Sequence, residues 1–345
     1  MKTNKPRIID LFAGIGGIRI GFESQGCEVV FTSEWESAAQ ATYELNYGVK
    51  PHGDITQINE KDIPSFDILL AGFPCQPFSQ AGLKKGLADT RGTLFFDVAR
   101  IVNHHRPKVV FLENVKRFKT HDGGNTFAVV KDTLEGMGYK VFAEILNAKD
   151  FGVPQNRERI YIVAFLGEIE FNFPKLSKKE VCVGDILEKS VESKYTISDK
   201  LWAGHKRRKE EHIAKGNGFG YSLFNNASPY TSTISARYYK DGSEILIAQK
   251  GKNPRKITPR EAARLQGFPD SFKLPSSDTQ AYKQFGNSVA VPVIKALAKE
   301  VLKTMEQIQN TEVKHKKINL NKIKEESISK ARASLSLDFE SSSNS

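Results

Sequence analysis

The first half of the chain alternates short apolar segments with helical segments, and this alternation is the feature that most restricts its fold. Helical patterns cover Ser37–Tyr47, Thr93–His104 and Asn125–Met137. They separate six apolar segments with the length and composition of buried strands: Arg7–Leu11, Glu28–Thr32, Phe66–Ala71, Lys108–Leu112, Tyr139–Leu146 and Ile160–Phe165. The alternation predicts an α/β fold with a doubly wound, mostly parallel sheet. Because such sheets bind ligands at the carboxyl ends of their strands, functional residues are expected directly after the strands.

The composition changes after Pro174, where the sequence becomes basic and rich in Gly, Asn, Ser and Tyr. We therefore predict a first domain in residues 1–180 and a smaller, irregular domain in residues 181–273. Apolar spacing returns from about Gln284 to Gln307 and predicts one helix, within a segment of residues 274–307 that packs back on the sheet. Residues 308–345 are rich in Lys, Ser and Glu and poor in large apolar residues, which predicts a disordered tail.

The charge of the chain favours a polyanionic partner. Its formal net charge is +11, which is typical of many nucleic-acid-binding proteins and also of some proteins that are merely basic. The three cysteines, Cys27, Cys75 and Cys182, are odd in number and far apart, so neither a disulfide framework nor a zinc cluster is expected. Without a long apolar run or a signal-peptide core, the chain is expected to be cytoplasmic and outside the membrane.

Glycines and acidic residues follow the first strands in positions that suit a nucleoside. The turn Asp10–Gly17 allows close approach of a ligand to the backbone, although Arg19 stands where a dinucleotide fingerprint requires its third glycine. Glu34, after the second strand, can accept hydrogen bonds from ribose hydroxyls, and Trp35 can stack on an adenine. Each has a structural alternative, as a helix N-terminal charge and a core anchor. Gly53–Thr56 adds a turn with a carboxylate, and together these features indicate an adenosine-containing cofactor.

The segment Gly72–Ser79 carries the strongest chemical signal. Cys75 lies between prolines directly after a buried strand, on a loop rather than in a core, which favours a nucleophile. Glu113 ends the next strand and would lie beside that loop if the two strands are neighbours in the sheet. A thiol and a carboxyl at adjacent strand ends suit covalent catalysis with general-acid assistance.

In their order and combination these motifs resemble those of the bacterial DNA (cytosine-5) methyltransferases of restriction–modification systems, over about residues 7–305. The blocks that carry the resemblance are Asp10–Gly17, Gly72–Ser79, Asp89–Asp97, Glu113–Val115, Gln155–Arg159, Arg260–Pro269 and Gln284–Val289. The Pro-Cys-Gln and Glu-Asn-Val blocks are highly specific for this family.

The resemblance implies a reaction and a role for each site residue. The thiolate of Cys75 adds to C6 of cytosine, so that C5 becomes able to attack a methyl sulfonium. Glu113 meets N3 of the base, Arg159 contacts O2 and Arg157 helps to hold the site. S-adenosylmethionine is the expected methyl donor and no metal is expected. The residues that match the family's cofactor pocket are Phe12, Gly14, Gly17, Glu34, Trp35, Asp54, Ile55, Leu94, Asn287 and Val289.

The resemblance also implies double-stranded DNA as partner, because a cytosine stacked in a duplex must be flipped out before a thiolate can reach it. The loop Gly82–Arg91 is a candidate lid. Residues 1–180 are the candidate catalytic and cofactor domain, and residues 181–273 are the candidate target-recognition domain. Residues expected to contact DNA are Gln76, Ser79, Thr233 and Arg237. A monomer is expected, with a restriction endonuclease as functional partner.

Three other interpretations remain open at this point. An RNA cytosine methyltransferase would share the architecture, although the large basic region favours DNA. A nucleotide-dependent oxidoreductase with a reactive cysteine is disfavoured by Arg19 and by the Glu-Asn-Val block. A catalytically silent relative is disfavoured because Cys75 and Glu113 are both present.

Overall fold

The computed structural model describes residues 5–74, 94–175, 180–218 and 220–308. By the contacts between its residues the chain divides into a first unit, Met1–Lys299, and a second unit, Glu300–Ser345. All six predicted strands form, and no strand end moves by more than three residues. They are β1 Arg7–Leu11, β2 Glu28–Ser33, β3 Ile68–Gly72, β4 Val109–Val115, β5 Tyr139–Asn147 and β6 Glu158–Leu166.

The six strands form one sheet in the order β2-β1-β3-β4-β6-β5. The strands β1 to β4 run parallel, whereas β6 is antiparallel to both of its neighbours. The prediction of a mostly parallel, doubly wound sheet is therefore confirmed. From β1 the chain adds β2 on one side of the sheet. It then returns to add β3 and β4 on the other side of β1, so the strand order reverses between β1 and β3. Ligands bind at the carboxyl ends of the strands around such a reversal.

Four helices accompany this sheet: α1 Gly17–Glu23, α2 Ser37–Tyr47, α3 Leu94–His105 and α4 Asn125–Gly136. The apolar side of α3, formed by residues such as Val98 and Val102, is fully buried among the strands' apolar side chains. The predicted bounds of α2 are confirmed and α4 ends one residue early, while the predicted first residue of α3, Thr93, lies outside the described residues.

The part of the chain predicted to be irregular contains regular structure. The helix α5, Asp199–Ala214, is followed by a three-stranded sheet of β7 Leu223–Phe224, β8 Leu246–Gln249 and β9 Lys252–Lys256. The sequence pattern missed α5 because few of its residues are apolar and only His205 is buried. Ser198 caps its first turn by accepting a hydrogen bond from Leu201 N, and Trp202 packs against Tyr221. Capping and one packed side hold a helix that has no wide apolar stripe.

A buried ion pair joins β9 to the next helix, α6 Pro259–Leu265. Arg255 donates to both carboxylate oxygens of Glu261, at 2.7 and 2.8 Å, and the Glu261 side chain is fully buried. The same carboxylate accepts hydrogen bonds from the backbone N–H groups of Thr258 and Glu188. The charge of Glu261 is thus compensated, and its carboxylate joins residue 188 to the segment of residues 255–261.

The prediction of one helix from Gln284 to Gln307 is wrong. A helix α7, Asp278–Asn287, ends where Ser288 becomes extended, and a further helix, α8, covers residues 291–299 of the first unit. In one continuous helix the ring of Pro292 would clash with the carbonyl of Ser288, which explains the break. Ile294 of α8 packs directly over Gly21 of α1, so this segment does return to the catalytic sheet's helices.

In the second unit, residues 300–308 are helical. The remainder of the predicted tail lies outside the described residues, and the predicted domain limits stay predictions. Within the described ranges, no helix combines the length and apolar character that crossing a bilayer demands.

Candidate active site

A cavity of about 610 Å³ opens at the carboxyl ends of β1 to β4. It lies at the strand-order reversal, where the sheet topology places a ligand site. Eleven of the predicted site residues line it: Phe12, Gly14, Gly17, Glu34, Trp35, Leu94, Glu113, Arg157, Arg159, Asn287 and Val289. The structure therefore brings eight of the ten predicted cofactor residues and three of the four predicted catalytic residues into one cavity.

The loop after β1 forms one wall. Phe12, with φ of 55°, adopts the left-handed backbone conformation that residues other than glycine rarely adopt. Gly16, with φ of 81°, has no space for a side chain, because a Cβ there would lie 2.5 Å from the Tyr47 hydroxyl. The loop is held to β2 by hydrogen bonds from Ala13 N to Ser33 O and from Gly14 N to the Glu34 carboxylate. These bonds fix the position of the loop at the cavity wall.

Glu34 and Trp35 follow β2 and form the adjoining wall. The carboxylate of Glu34 is buried and accepts hydrogen bonds from Gly14 N and Glu36 N, both at 2.8 Å. Burial raises the pKa of Glu34, and these two N–H groups oppose the shift. Trp35 is 76% exposed although it lines the cavity, so its ring is free to cover a flat ligand. The core-anchor alternative for Trp35 is wrong.

Asp54 and Ile55 do not line the cavity. Asp54 caps a short helical turn by accepting a hydrogen bond from Thr56 N, and the Ile55 side chain is buried in the core. They follow His52, whose backbone carbonyl oxygen accepts a hydrogen bond from Glu34 N at 2.9 Å. Their proposed contact with a cofactor stays a prediction.

Asp10 lies within β1, directly before this loop, and it is fully buried. Neither of its carboxylate oxygens has a hydrogen-bond partner among the described residues. Burial raises its pKa to about 7, against the opposing effect of Arg19. In the sequence Asp10 stood out only as part of a turn motif, and nothing there indicated an isolated buried acid.

The opposite side of the cavity carries Glu113 at the end of β4. β3 and β4 are neighbours, and Gly72 pairs with Glu113, so the carboxyl lies beside the segment that leads to Cys75. Arg159 of β6 approaches it, with Nε 3.2 Å from Glu113 Oε1. Burial raises the pKa of Glu113, while Arg159 and then Arg157 oppose this shift. The next residue, Asn114, donates to Phe73 O at 2.9 Å and fixes the ends of the two strands together.

Arg157 is buried and holds the backbone around the cavity. Its guanidinium donates to the carbonyl oxygens of Ile234, Gly286 and Ser288 at 3.2, 3.1 and 2.5 Å. Burial lowers its pKa to about 9. Because these carbonyls belong to two distant segments, Arg157 ties the segments together, a geometry that suits its predicted role of holding the site.

Gln155 also binds the backbone at Ile234 and links it to the end of α6. Its side-chain oxygen accepts from Ile234 N at 3.1 Å, and its nitrogen donates to Leu265 O at 3.0 Å. Gly286 packs directly against the backbone of Ser235 and Ala236, because a Cβ at this position would lie closer than 3.0 Å to that backbone. The segment around residues 234–236 is therefore packed directly against the wall of the cavity.

Sequence reasoning missed several lining residues. Asn114, Gln284, Gly286 and Ser288 lie within motif blocks that it identified, so their position in those blocks was an available signal. Lys283 precedes a block and carried no such signal. Its ammonium pairs with the Glu36 carboxylate at the cavity.

The predicted nucleophile and two predicted DNA contacts, Cys75, Gln76 and Ser79, lie outside the described residues, as does the loop Gly82–Arg91. Pro74, directly before Cys75, lines the cavity. Thr233 donates its hydroxyl hydrogen to Asn156 O at 2.6 Å, and Arg237 is exposed.

Comparison with known proteins agrees with this geometry. A model of the C-5 cytosine-specific DNA methylase family matches residues 6–303. The chain belongs to the C-5 cytosine-specific DNA methylases. It is a DNA cytosine-5 methyltransferase, and the family predicted from the motif blocks is confirmed.

Curated relatives of this methylase are bacterial enzymes. It is 64% identical over 311 residues to the Type II methyltransferase M.SsoII of Shigella sonnei, covering 88% of this chain and 82% of that one. It is 61% identical over 311 residues to M.NlaX of Neisseria lactamica, covering 89% of this chain and 99% of that one.

Solved structures share the fold of this methylase at low sequence identity. Entamoeba histolytica methyltransferase EhMeth has a TM-score of 0.72 and 22% identity, covering 88% of this chain and 99% of that one. S. pombe Dnmt2 methyltransferase has a TM-score of 0.73 and 22% identity, covering 87% and 99%.

Proposed function

We propose that this methylase transfers a methyl group from S-adenosylmethionine to C5 of a cytosine that is flipped out of a specific sequence in double-stranded DNA. One observation carries the proposal: Glu113 and Arg159 line the same cavity as Glu34 and Trp35, the residues suited to bind a nucleoside. One cavity that holds both sets can bring a donor and a base together, which the transfer requires.

The residues at the β1–β2 side fit an adenosine-containing donor. Both oxygens of Glu34 already accept backbone hydrogen bonds, yet a carboxylate has about four acceptor positions, which leaves room for ribose hydroxyls. Trp35 offers an exposed ring for an adenine. S-adenosylmethionine is the methyl donor of the family, and when bound it supplies an electrophilic methyl group next to the base.

The residues at the β3–β4 side fit activation of the base. We infer that the Cys75 thiolate adds to C6, which makes C5 nucleophilic, and that loss of the C5 proton after methylation expels the thiolate. Glu113 supports protonation at N3, for which a carboxyl with a raised pKa is suited. Arg159, fixed by its ion pair with Glu113, offers N–H groups to O2 of the base. Arg157 holds the surrounding backbone.

Double-stranded DNA is the proposed substrate form, because the relatives are Type II methyltransferases. Gln76, Ser79, Thr233 and Arg237 are the proposed DNA contacts, with residues 181–273 as target-recognition domain. The enzyme is proposed to act as a monomer in the cytoplasm and to protect its target sequence from a cognate restriction endonuclease.

Transfer of a labelled methyl group to duplex DNA and to RNA tests the proposal. Label is expected in duplex DNA, at C5 of cytosine when the product is digested and its nucleosides are separated. Transfer to RNA alone would overturn the proposed substrate, and transfer to neither would overturn the function.

Cys75→Ala is expected to abolish transfer while DNA binding persists, because the substitution removes the nucleophile without changing the phosphate-binding surface. Cys182→Ala, at a partly exposed cysteine that does not line the cavity, is the matched control and should retain transfer. Appreciable turnover by the Cys75 variant would exclude covalent catalysis through this residue.

A further inference from the structure

A short basic segment follows Glu113 at the mouth of the cavity. β4 ends at Val115, which is 38% exposed and lines the cavity, and a helical turn over Lys116–Lys119 comes next. Lys116, Arg117 and Lys119 of this turn are all exposed. Two residues therefore separate the proposed general acid from a run of cationic side chains.

Phe118 fixes this turn in place. Its side chain is fully buried in the core and lies edge-on to Phe73, with the ring centroids 5.6 Å apart. Phe73 lies two residues before Cys75. In a 3₁₀ turn of three residues per turn, the residues on either side of a buried one point away from the core. Arg117 and Lys119 are thus held outward beside the segment that leads to the nucleophile.

The neighbouring charges leave these two side chains uncompensated. Lys116 pairs with Glu158 at 2.9 Å, whereas no acidic partner within the described part of the chain lies within ion-pair distance of Arg117 or Lys119. Close by at the same edge of the sheet, Lys149 follows β5 and lies 4.7 Å from the ring centre of Tyr230. Cations next to the cavity-lining Val115 suit a ligand whose anionic part stays outside the cavity while its neutral part enters.

A nucleotide flipped into the cavity has this form, because its base enters while its phosphates stay on the strand. We propose that Arg117 and Lys119 bind the backbone phosphates next to the flipped cytosine. The proposal rests on the proposed function and adds to it a phosphate-binding surface on the catalytic side of the cavity. Contacts to phosphate position a protein on DNA without selecting sequence.

The salt dependence of DNA binding tests this proposal. Each phosphate contact contributes about −0.9 to the slope of log K against log salt, so Arg117→Gln with Lys119→Gln should reduce the magnitude of the slope by about 1.8. By the same relation, affinity at 0.1 M salt should fall about eightfold for each phosphate that is no longer neutralised. Binding of a fluorescent duplex that the wild type methylates is measured by anisotropy over a series of salt concentrations.

A control variant with the same loss of charge distinguishes a local contact from net charge. Lys5 and Lys61 are exposed, have no ion-pair partner among the described residues, and precede β1 and β3, at the opposite edge of the sheet. Lys5→Gln with Lys61→Gln should leave the slope within about 0.4 of the wild-type value. The thermal midpoint of both double variants is checked, and little change is expected because all four side chains are at the surface.

A reduced slope in the Arg117/Lys119 variant alone supports the proposal. An unchanged slope, or an equal reduction in both variants, overturns it even when the wild type methylates the duplex normally. A wild-type enzyme that transfers no methyl group to duplex DNA overturns the proposed function and this proposal together.

Discussion

Trp35 offers a test of the donor pocket in which binding can be separated from folding. Its side chain is 76% exposed, so Trp35→Ala should change the free energy of unfolding by no more than about 0.5 kcal/mol. Stacking of a base on an aromatic side chain contributes about 1–3 kcal/mol. If Trp35 covers an adenine, its removal should therefore raise the Kd for S-adenosylmethionine about 5- to 150-fold.

Calorimetric titration of the purified enzyme with S-adenosylmethionine measures this change, and urea unfolding measures stability. The second tryptophan of the chain is a natural control. Trp202 packs on Tyr221, with ring centroids 4.6 Å apart, and does not line the cavity. Trp202→Ala should lower stability and leave the donor Kd unchanged, the reverse of the pattern expected for Trp35→Ala.

The affinity for duplex DNA gives a further control, because Trp35 should matter less for DNA than for the donor. A donor Kd within about twofold of the wild-type value would refute the stacking role, since even the weakest expected stacking energy exceeds that change. A larger loss of DNA affinity than of donor affinity would show that the wall after β2 serves the nucleic acid instead.

Three other predictions address chemistry and stability. Glu113→Gln should lower kcat by about 10²- to 10⁴-fold in the methyl-transfer assay, the usual contribution of a general acid, and an undiminished rate would remove that role. Burial raises the pKa of Asp10 from 3.8 in the unfolded chain to about 7 in the folded protein. Its contribution to folding stability is therefore complete below pH 3.8 and is lost as the pH rises through about 7. Urea unfolding at pH 5 and pH 8 should therefore show wild type losing roughly 2–3 kcal/mol relative to Asp10→Asn, and parallel pH profiles would contradict a buried, titrating Asp10. Glu261→Gln should cost about 3–5 kcal/mol in the free energy of unfolding because Arg255 loses its charged partner, whereas Asp270→Asn, at an exposed ion pair, should cost less than about 1 kcal/mol. Equal losses in the last two variants would mean that burial does not set the strength of these pairs.

The central strands β1, β3, β4 and β6 were predictable because they are buried on both faces and read as continuous apolar runs, whereas the edge strands β2 and β5 are less buried. The sequence also placed Glu34 and Glu113 at strand ends. It left open whether Glu113 lies beside the Cys75 segment, because strand order depends on contacts between distant segments. The pairing of Gly72 with Glu113 answers that question.

Features held by isolated contacts were not predictable from periodicity. α5 lacks an apolar stripe and depends on Ser198 and on the packing of Trp202. Lys283 reaches the cavity only because α7 lies across from α2, where its partner Glu36 is found. The break after α7 had a local signal, Pro292, which the apolar spacing around it obscured.

The tight approach of Gly286 to the backbone at residues 235 and 236 constrains the segment between Thr233 and Arg237, the two proposed DNA contacts that the structure describes. If this part of the chain were exchanged between related methylases, the backbone path through Ile234 would have to be preserved. Gln155 and Arg157 bind the backbone of Ile234 and not its side chain. Side chains that project outward from the segment are free to vary under the same constraint. In the proposed target-recognition domain, such side chains could therefore change while the junction with the cavity stays the same.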